Sequence, residues 1–335
     1  MPRRWTGTSH VGGATYSGRV SRADETLLDL ALSRATVDRS ARERADDATV
    51  ARALADPTTR VLVVRDGRTR LLGGDRAALD LRPPCPGDAD RTPWFLGRHD
   101  DVAYLAVDET EASDGSSTGG PRDGSVGWVS LREVGADLDD TEAGLLTTAT
   151  ALHGWHRTHR HCPRCGTVTE VVQGGWVRRC PADGSEHHPR TDPAIIVAVV
   201  DDDDRLLLAT GASWPEGRIS VLAGFVEAGE SMEAAVVREV HEEVGLDVAD
   251  LVFRGDQPWP FPASLMLAFR ARALTTDLVP DPTEIRSAAW YARGELADLV
   301  RAGARTLPSR VSIARVLIEE WFGGPLPEPS PQGIR

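Results

Sequence analysis

Three carboxylates in the stretch "REVHEEVGL" are spaced to work together, because Glu239, Glu242 and Glu243 stand at i, i+3 and i+4. On a helix that spacing places all three on one face. Like charges crowded in this way repel unless a divalent cation lies among them, and hard carboxylate oxygens suit Mg²⁺ or Mn²⁺. A solvated acidic face is the competing explanation. Against it, Val236, Val237, Val240 and Val244 weave between the acids and Arg238 interrupts them, the mixture of a packed helix. Just upstream, the Gly-rich turn from Gly224 to Gly229 lets backbone approach a ligand closely. Ser231 is placed to begin the helix and Gly245 to end it. These residues predict a divalent-cation site beside a tight loop, an arrangement suited to phosphate chemistry.

A second cluster reads "HCPRCGTVTEVVQGGWVRRCPADGSEHHPR". Cys162 and Cys165, followed by Gly166, have the spacing that points two thiolates at one tetrahedral Zn²⁺, and Cys180 follows after fourteen residues. Buried free thiols are the plainer alternative. Arg178 and Arg179 beside Cys180 are expected to favour its thiolate. No second Cys pair follows, so the fourth ligand is Asp183 on spacing or, next, His187, which with His188 is the better ligand on chemistry but lies further along; His161 is also adjacent. A zinc here is structural, folding a ribbon too small to bury much surface. Cys85 stands apart as a lone thiol, and His153, His156 and His159 are expected on a solvated helix face.

A third stretch, "DQPWPFPAS", sets Trp259 and Phe261 among Pro258, Pro260 and Pro262. The prolines remove amide donors, which excludes a central strand or a helix interior. What remains is a rigid shelf carrying two large rings, apt for the flat face of a base at little ordering cost.

The series Gly224-x5-Glu230-x7-Arg238-Glu239-Val240-x-Glu242-Glu243-x-Gly245-Leu246 matches the Nudix box throughout its 23 residues, so the chain resembles the Nudix hydrolases. "QPWPFPAS" resembles the signature of their NAD(H) pyrophosphatase (NudC-type) branch. The resemblance implies an α/β fold, a Nudix α/β/α sandwich preceded by a zinc ribbon and a diverged α+β N-terminal domain. It implies that Glu239, Glu243, Glu284 and the Ala223 carbonyl hold catalytic Mg²⁺ or Mn²⁺, with Glu242 assisting. Gly224, Glu230 and Arg238 would brace the loop and helix. Substrate contacts would come from Gln257, Pro258, Trp259, Pro260, Phe261, Pro262, Ala263 and Ser264, with Phe225, Ala314 and His188, where the family usually has Tyr. The implied reaction hydrolyses NAD(H) to nicotinamide mononucleotide and AMP, in a homodimer. Two other readings are removal of the NAD cap from RNA 5′ ends, and a zinc-ribbon nucleic-acid-binding regulator whose Nudix domain senses ligand. Which Glu is the general base stays open, with Glu284 a candidate for positioning or deprotonating water.

The elements that must position these groups are spread over 335 residues, enough for two or three domains. The expected division is 1–138 for the N-terminal domain, 139–190 for a helix and the ribbon, 191–322 for the Nudix domain and 323–335 for a tail. Residues 25–56 show mixed helical periodicity, and strand-like runs flank Asp66-Gly67 as in a hairpin. Residues 111–126 read as a flexible loop. Asp139 and Glu142 have the spacing of a capping box. With 41% hydrophobic and 27% charged residues the chain is globular. All 38 basic residues are Arg, which removes lysine Schiff-base and P-loop chemistry. The net charge of −13 argues against avid, unselective binding to nucleic acid or membrane, although a local Arg patch can hold a phosphorylated ligand. "MPRRWTGTSHVGG" has no apolar run after its arginines, and "AIIVAVV" is too short to span a bilayer. A cytoplasmic protein with no membrane partner is expected.

Overall fold

The computed structural model describes residues 28–109 and 125–327, together with two short strands, His10–Val11 and Ala14–Thr15. Nearly all of the 111–126 loop and most of the tail lie outside these residues. The chain divides into two compact units. One comprises Ala31–Thr191 with Pro258–Leu265, the other Met1–Leu30, Asp192–Gln257 and Met266–Arg335.

In the first unit, Asp66 (φ 51°) and Gly67 (φ 71°) turn the chain between Arg65 and Arg68, whose backbones exchange two hydrogen bonds of 2.9 Å. The turn forms as its residue types require, with both central residues left-handed. The strands then part. Arg60–Val64 pairs in parallel with Val102–Asp108, which also pairs with Trp94–His99, while Arg68–Leu72 pairs with Ser125–Ser130. Val61, Phe95, Leu105 and Val107 bury a small core against Ala53 of the helix Thr49–Ala55. The helical reading of 25–56 holds only for its second half, since among described residues the first helical turn is Ala41–Arg44. Asp139 caps the long helix Asp140–Thr158 by accepting from the Glu142 amide at 2.8 Å. Glu142 does not return the bond. Its carboxylate accepts instead from the Leu79 amide at 3.0 Å. The ribbon that follows has three strands of two or three residues, Glu170–Val172, Val177–Arg179 and Glu186–His187.

In the second unit, five strands run in the order Val248–Trp259, Ser264–Ala273, Asp192–Val200, Leu206–Gly211, Ile285–Tyr291, and Leu222–Phe225 also pairs with Asp192–Val200. Alternation along the third strand explains why it reads as unbroken apolar sequence. Ile195, Val197 and Val199 pack with Val236, Val240 and Val244 on one face, while Ile196 and Ala198 pack with Leu296, Leu317 and Ile318 on the other. Helices therefore cover both faces of the sheet, the expected α/β/α sandwich. Pro258 falls near the end of the outermost strand, a position where a missing amide costs little.

Candidate active site and zinc ribbon

The helix Met232–Val244 begins where Ser231 Oγ accepts from the Ala234 amide at 3.2 Å and ends at Gly245, whose φ is 72°. Its valines at 236, 240 and 244 are buried at one-turn intervals, which fixes the rotation of the helix and hence the direction of its acids. Arg238 ties the site together. Its Nε and Nη2 donate to both oxygens of Glu230 (2.8 and 2.9 Å), Nη1 to Glu239 (2.8 Å) and Glu242 (3.0 Å), and Nη2 also to the Phe225 carbonyl (2.9 Å). The Glu230 carboxyl is held below the usual carboxylate range by that Arg238 contact, and it accepts from the Glu227 amide as well. Gly224 is obligatory at its place, since a Cβ there would lie 1.9 Å from Glu239 Cδ.

Glu243 is the strained member. It is only 7% exposed, and its Oε2 has no hydrogen-bond partner among the described residues. Burial first, then the charges of Glu239 and Glu284, push its pKa up to about 8. Burial likewise raises Glu239, against the pull of Arg238 and with Glu242 and Glu284 adding repulsion. Glu284 itself is exposed, at a turn where its amide donates to Asp281 O at 3.2 Å. A buried carboxylate oxygen with no donor, facing two further carboxylates, is a site short of positive charge. Mg²⁺ or Mn²⁺ fits it.

In the ribbon, Cys162, Cys165, Cys180 and Asp183 bring their ligand atoms within 4.8 Å of one another. Cys165 Sγ is 3.5 Å from Cys180 Sγ, and Cys162 Sγ is 3.7 Å from Asp183 Oδ2. Tetrahedral zinc with bonds of about 2.3 Å requires edges of about 3.8 Å, so the donor set fits the ion. Two matching knuckles build it. Gly166 (φ 76°) donates to Cys162 O, and Gly184 (φ 72°) donates to Cys180 O, both at 2.9 Å. Asp183 therefore stands in the second knuckle where Cys165 stands in the first. His187 lies outside the group and bonds Ser185 Oγ at 3.1 Å. The Ser185 hydroxyl lowers Cys162 to about 6 and also holds Asp183 low. The expectation that Arg178 and Arg179 favour the Cys180 thiolate is corrected, because burial pushes that thiol up to about 11. Arg179 pairs with Glu186, and Arg178 is buried, bonding Thr169 and His156.

His153 and His156 are likewise not on a solvated face. Both are buried, His153 on Asp108 at 3.0 Å and His156 between Arg178 and the Gly175 carbonyl. Burial lowers His156 to about 4, so it is neutral, accepting from Arg178 and donating to Gly175.

On the proline shelf the Trp259 and Phe261 rings meet edge to face with centroids 5.0 Å apart. The Arg132 guanidinium lies over both, 4.9 and 4.1 Å from their centroids. Arg132 projects from the turn Leu131–Val134, which Glu133 pins by accepting from the amide and hydroxyl of Ser130. Sequence reasoning missed Arg132. The local signal was Ser130-x2-Glu133, a capping box that announces a helical turn but not what the turn faces.

Residues 50–155, 157–187 and 190–310 match three domain families in turn: the NADH pyrophosphatase-like rudimentary NUDIX domain, the NADH pyrophosphatase zinc ribbon domain and the NUDIX domain. The NAD-capped RNA hydrolase NudC of Mycobacterium bovis is 39% identical over 313 residues, 87% of this chain and 94% of that protein. The chain belongs to the NudC-type Nudix hydrolases. A NudC of Stutzerimonas stutzeri is 41% identical over 204 residues, 61% of this chain and 71% of the relative. A solved NUDIX hydrolase from Nitrosomonas europaea is 22% identical, with a TM-score of 0.38 over 50% of this chain and 94% of its own.

As a Nudix hydrolase the chain is an enzyme acting on pyrophosphate bonds, with structural zinc in the ribbon and Mg²⁺ or Mn²⁺ at the Nudix box. Around that box Phe225 is 58% exposed, and Ala223 is exposed opposite Ile196. Ala314 is buried at the start of the helix Ile313–Phe322, its amide on Ser312 Oγ. Gln257 is fully buried and donates to the Val311 carbonyl at 3.0 Å, so its side chain is engaged inside its own unit. In the other unit His188 and Pro262 are exposed, and Pro258, Ala263 and Ser264 are half-buried. Among the described residues no helix is long and apolar enough to cross a membrane.

Proposed function

We propose that this enzyme hydrolyses the pyrophosphate of NAD(H) to nicotinamide mononucleotide and AMP, and makes the same cut in the NAD cap of RNA. The observation that carries the chemistry is the buried, unpartnered oxygen of Glu243 beside Glu239 and Glu284. The names of the relatives point to the substrate.

Glu239, Glu243, Glu284 and the Ala223 carbonyl would hold the cations, and Glu242 would assist through Arg238. Bound Mg²⁺ or Mn²⁺ supplies charge that screens the pyrophosphate and lowers the pKa of a nearby water. Arg238 holds Glu239 in place and, through Glu230, keeps the loop fixed while substrate binds. Glu284, exposed, can accept a proton from water. In the Nudix unit, Phe225 offers a ring face and the Ala314 backbone a further assigned contact. In the other unit, Trp259 and Phe261, with Arg132 over them, offer a rigid platform and a positive charge, and His188 and Ser264 are assigned contacts there. The homodimer implied by the resemblance and a cytoplasmic location belong to the same proposal.

Purified enzyme given Mn²⁺ and either NADH or NAD-capped RNA tests the reading by product analysis. Nicotinamide mononucleotide and AMP are expected from NADH, and a 5′-monophosphate RNA from the capped strand. Intact NADH after prolonged incubation would overturn the assignment.

A further inference from the structure

We propose that Arg39 and Arg44, gathered over the indole of Trp176, form a binding site for the phosphodiester backbone of single-stranded RNA. The proposal rests on the cap-removal reading for its polyanion, and it names a site outside the Nudix box and the shelf.

Trp176 follows a turn in which Gln173, Gly174 and Gly175 all take positive φ (49°, 58° and 90°). The glycines are needed for space as well as conformation. A Cβ on Gly174 would lie 2.9 Å from Phe95 Cβ, and one on Gly175 would lie 2.6 Å from Trp94 Cδ1. Trp176 Nε1 donates to the Phe95 carbonyl at 2.8 Å, which fixes the plane of the ring. Over that ring stand two guanidiniums, Arg44 at 3.9 Å and Arg39 at 5.3 Å from its centroid.

Two like charges converging on one indole need an explanation. Their neighbours are neutralised: Arg98 by Glu43 (2.7 and 2.9 Å), Arg52 by Asp46 (2.7 Å) and Arg179 by Glu186 (2.9 Å). Glu43, adjacent to Arg44 in sequence, is thus committed elsewhere. Arg39 and Arg44 have no carboxylate partner among the described residues, and Arg44 Nε and Nη1 are buried without a hydrogen bond. Burial and the charge of Arg39 both press on Arg44. An anion against the outer edges of the pair relieves that repulsion. Both guanidiniums are already held against the ring, so little side-chain freedom is lost on binding.

The ligand chemistry is a phosphate, and its source is decided by reach. Arg42, exposed and two residues before Arg44, adds a third positive group to the same short segment, so more than one phosphate of a strand can find a cation there. Guanidinium planes also stack with unpaired bases. Arg39 and Arg44 precede residue 50, where the matched family segments begin, so NADH turnover should not depend on them.

The test uses the full zinc-loaded chain and three variants, Arg39→Ala, Arg44→Lys and the double Arg39→Ala/Arg44→Ala, each checked for thermal midpoint and zinc content. Binding of a short uncapped RNA is followed by anisotropy across a salt series, and kcat/KM is measured on NADH and on NAD-capped RNA. For the double variant, RNA affinity and capped-RNA kcat/KM should fall about tenfold, and the salt dependence should become shallower by about 1.4, two single-strand phosphates. NADH kcat/KM should stay unchanged. Arg39→Ala, at an exposed position, carries the test if loss of Arg44 disturbs folding. Arg44→Lys should lose less than the double variant, as charge is retained. Equal RNA binding and salt slope in wild type and variants overturn the site. Displacement of RNA by inorganic phosphate at equal phosphate concentration overturns the RNA assignment in favour of free phosphate. If wild type binds RNA through these arginines yet leaves capped RNA uncut, the cap-removal reading falls and the site stands.

Discussion

The two ligand clusters of this chain are built on opposite principles. The carboxylate cluster stands on a capped helix and a sheet, held by five Arg238 hydrogen bonds and a closely fitted Gly224. Its geometry owes little to the cation, and its cost is electrostatic, a buried Glu243 that retains its proton near neutrality. The ribbon is the reverse. Three strands of two or three residues and two glycine knuckles bury only a handful of side chains, Cys162, Thr169, Val177, Arg178 and Cys180, so bonds to zinc must stand in for most of a core. The contrast teaches that a working cation should exchange readily and answer to pH, while the structural one should hold fast and answer to folding.

The sharpest way to break this contrast is at Glu243. Glu243→Gln should lower kcat on NADH by about 10³-fold with the thermal midpoint preserved or raised, since a neutral amide of the same shape needs no proton to be buried but cannot serve as an anionic cation ligand. A variant within tenfold of wild type would remove the metal-site assignment. Gly224→Ala comes next. Its Cβ must displace Glu239, and a shift of about 1 Å in a catalytic group costs about 10²-fold in rate, so kcat should fall by that order with zinc content unchanged. Cys180→Ser should act at the other site, with zinc measured per chain falling away and the ribbon opening to protease while the second unit's strands stay protected from hydrogen exchange.

The pH response separates the sites more finely. The raised Glu243 pKa means that folded, metal-free protein holds an extra proton between the ordinary glutamate value of 4.5 and about 8. That contribution to stability is complete below 4.5 and is lost as pH rises through about 8. Metal-free protein should therefore unfold at lower urea at pH 8.5 than at pH 6, and Glu243→Gln should flatten the difference. Mn²⁺ must displace the same proton, so its affinity should rise about tenfold per pH unit up to about 8, then level off, as titration calorimetry can follow. The smallest effect is expected for Asp183→Cys, which completes a four-thiolate set. Zinc should leave more slowly to a chelator at unaltered NADH turnover.

Much of both clusters was legible because their geometry is local. The i, i+3, i+4 acids, the Ser231 and Gly245 caps, and the Cys-x2-Cys-Gly knuckle each depend on residues within one or two turns, where spacing decides direction. Asp183 was legible for the same reason, as its knuckle repeats that of Cys165. What failed depended on distant partners. His153 and His156 read as solvated because helix spacing does not reveal Asp108, Trp94 or Arg178 on the far side. Arg178 beside Cys180 suggested a thiolate, yet its side chain turns to Thr169.

The chain's sequence by itself determined the identity of the donors, oxygen at one site and sulfur at the other, and the turns that present them. Those choices lie in side-chain chemistry and short-range backbone geometry. Only the tertiary structure decided that Glu243 Oε2 has no partner among the described residues, that Arg132 covers the Trp259 and Phe261 rings, and that Arg60–Val64 leaves its hairpin neighbour for Val102–Asp108. Each of these follows from burial against residues far away in the chain, where desolvation and packing outweigh local preference.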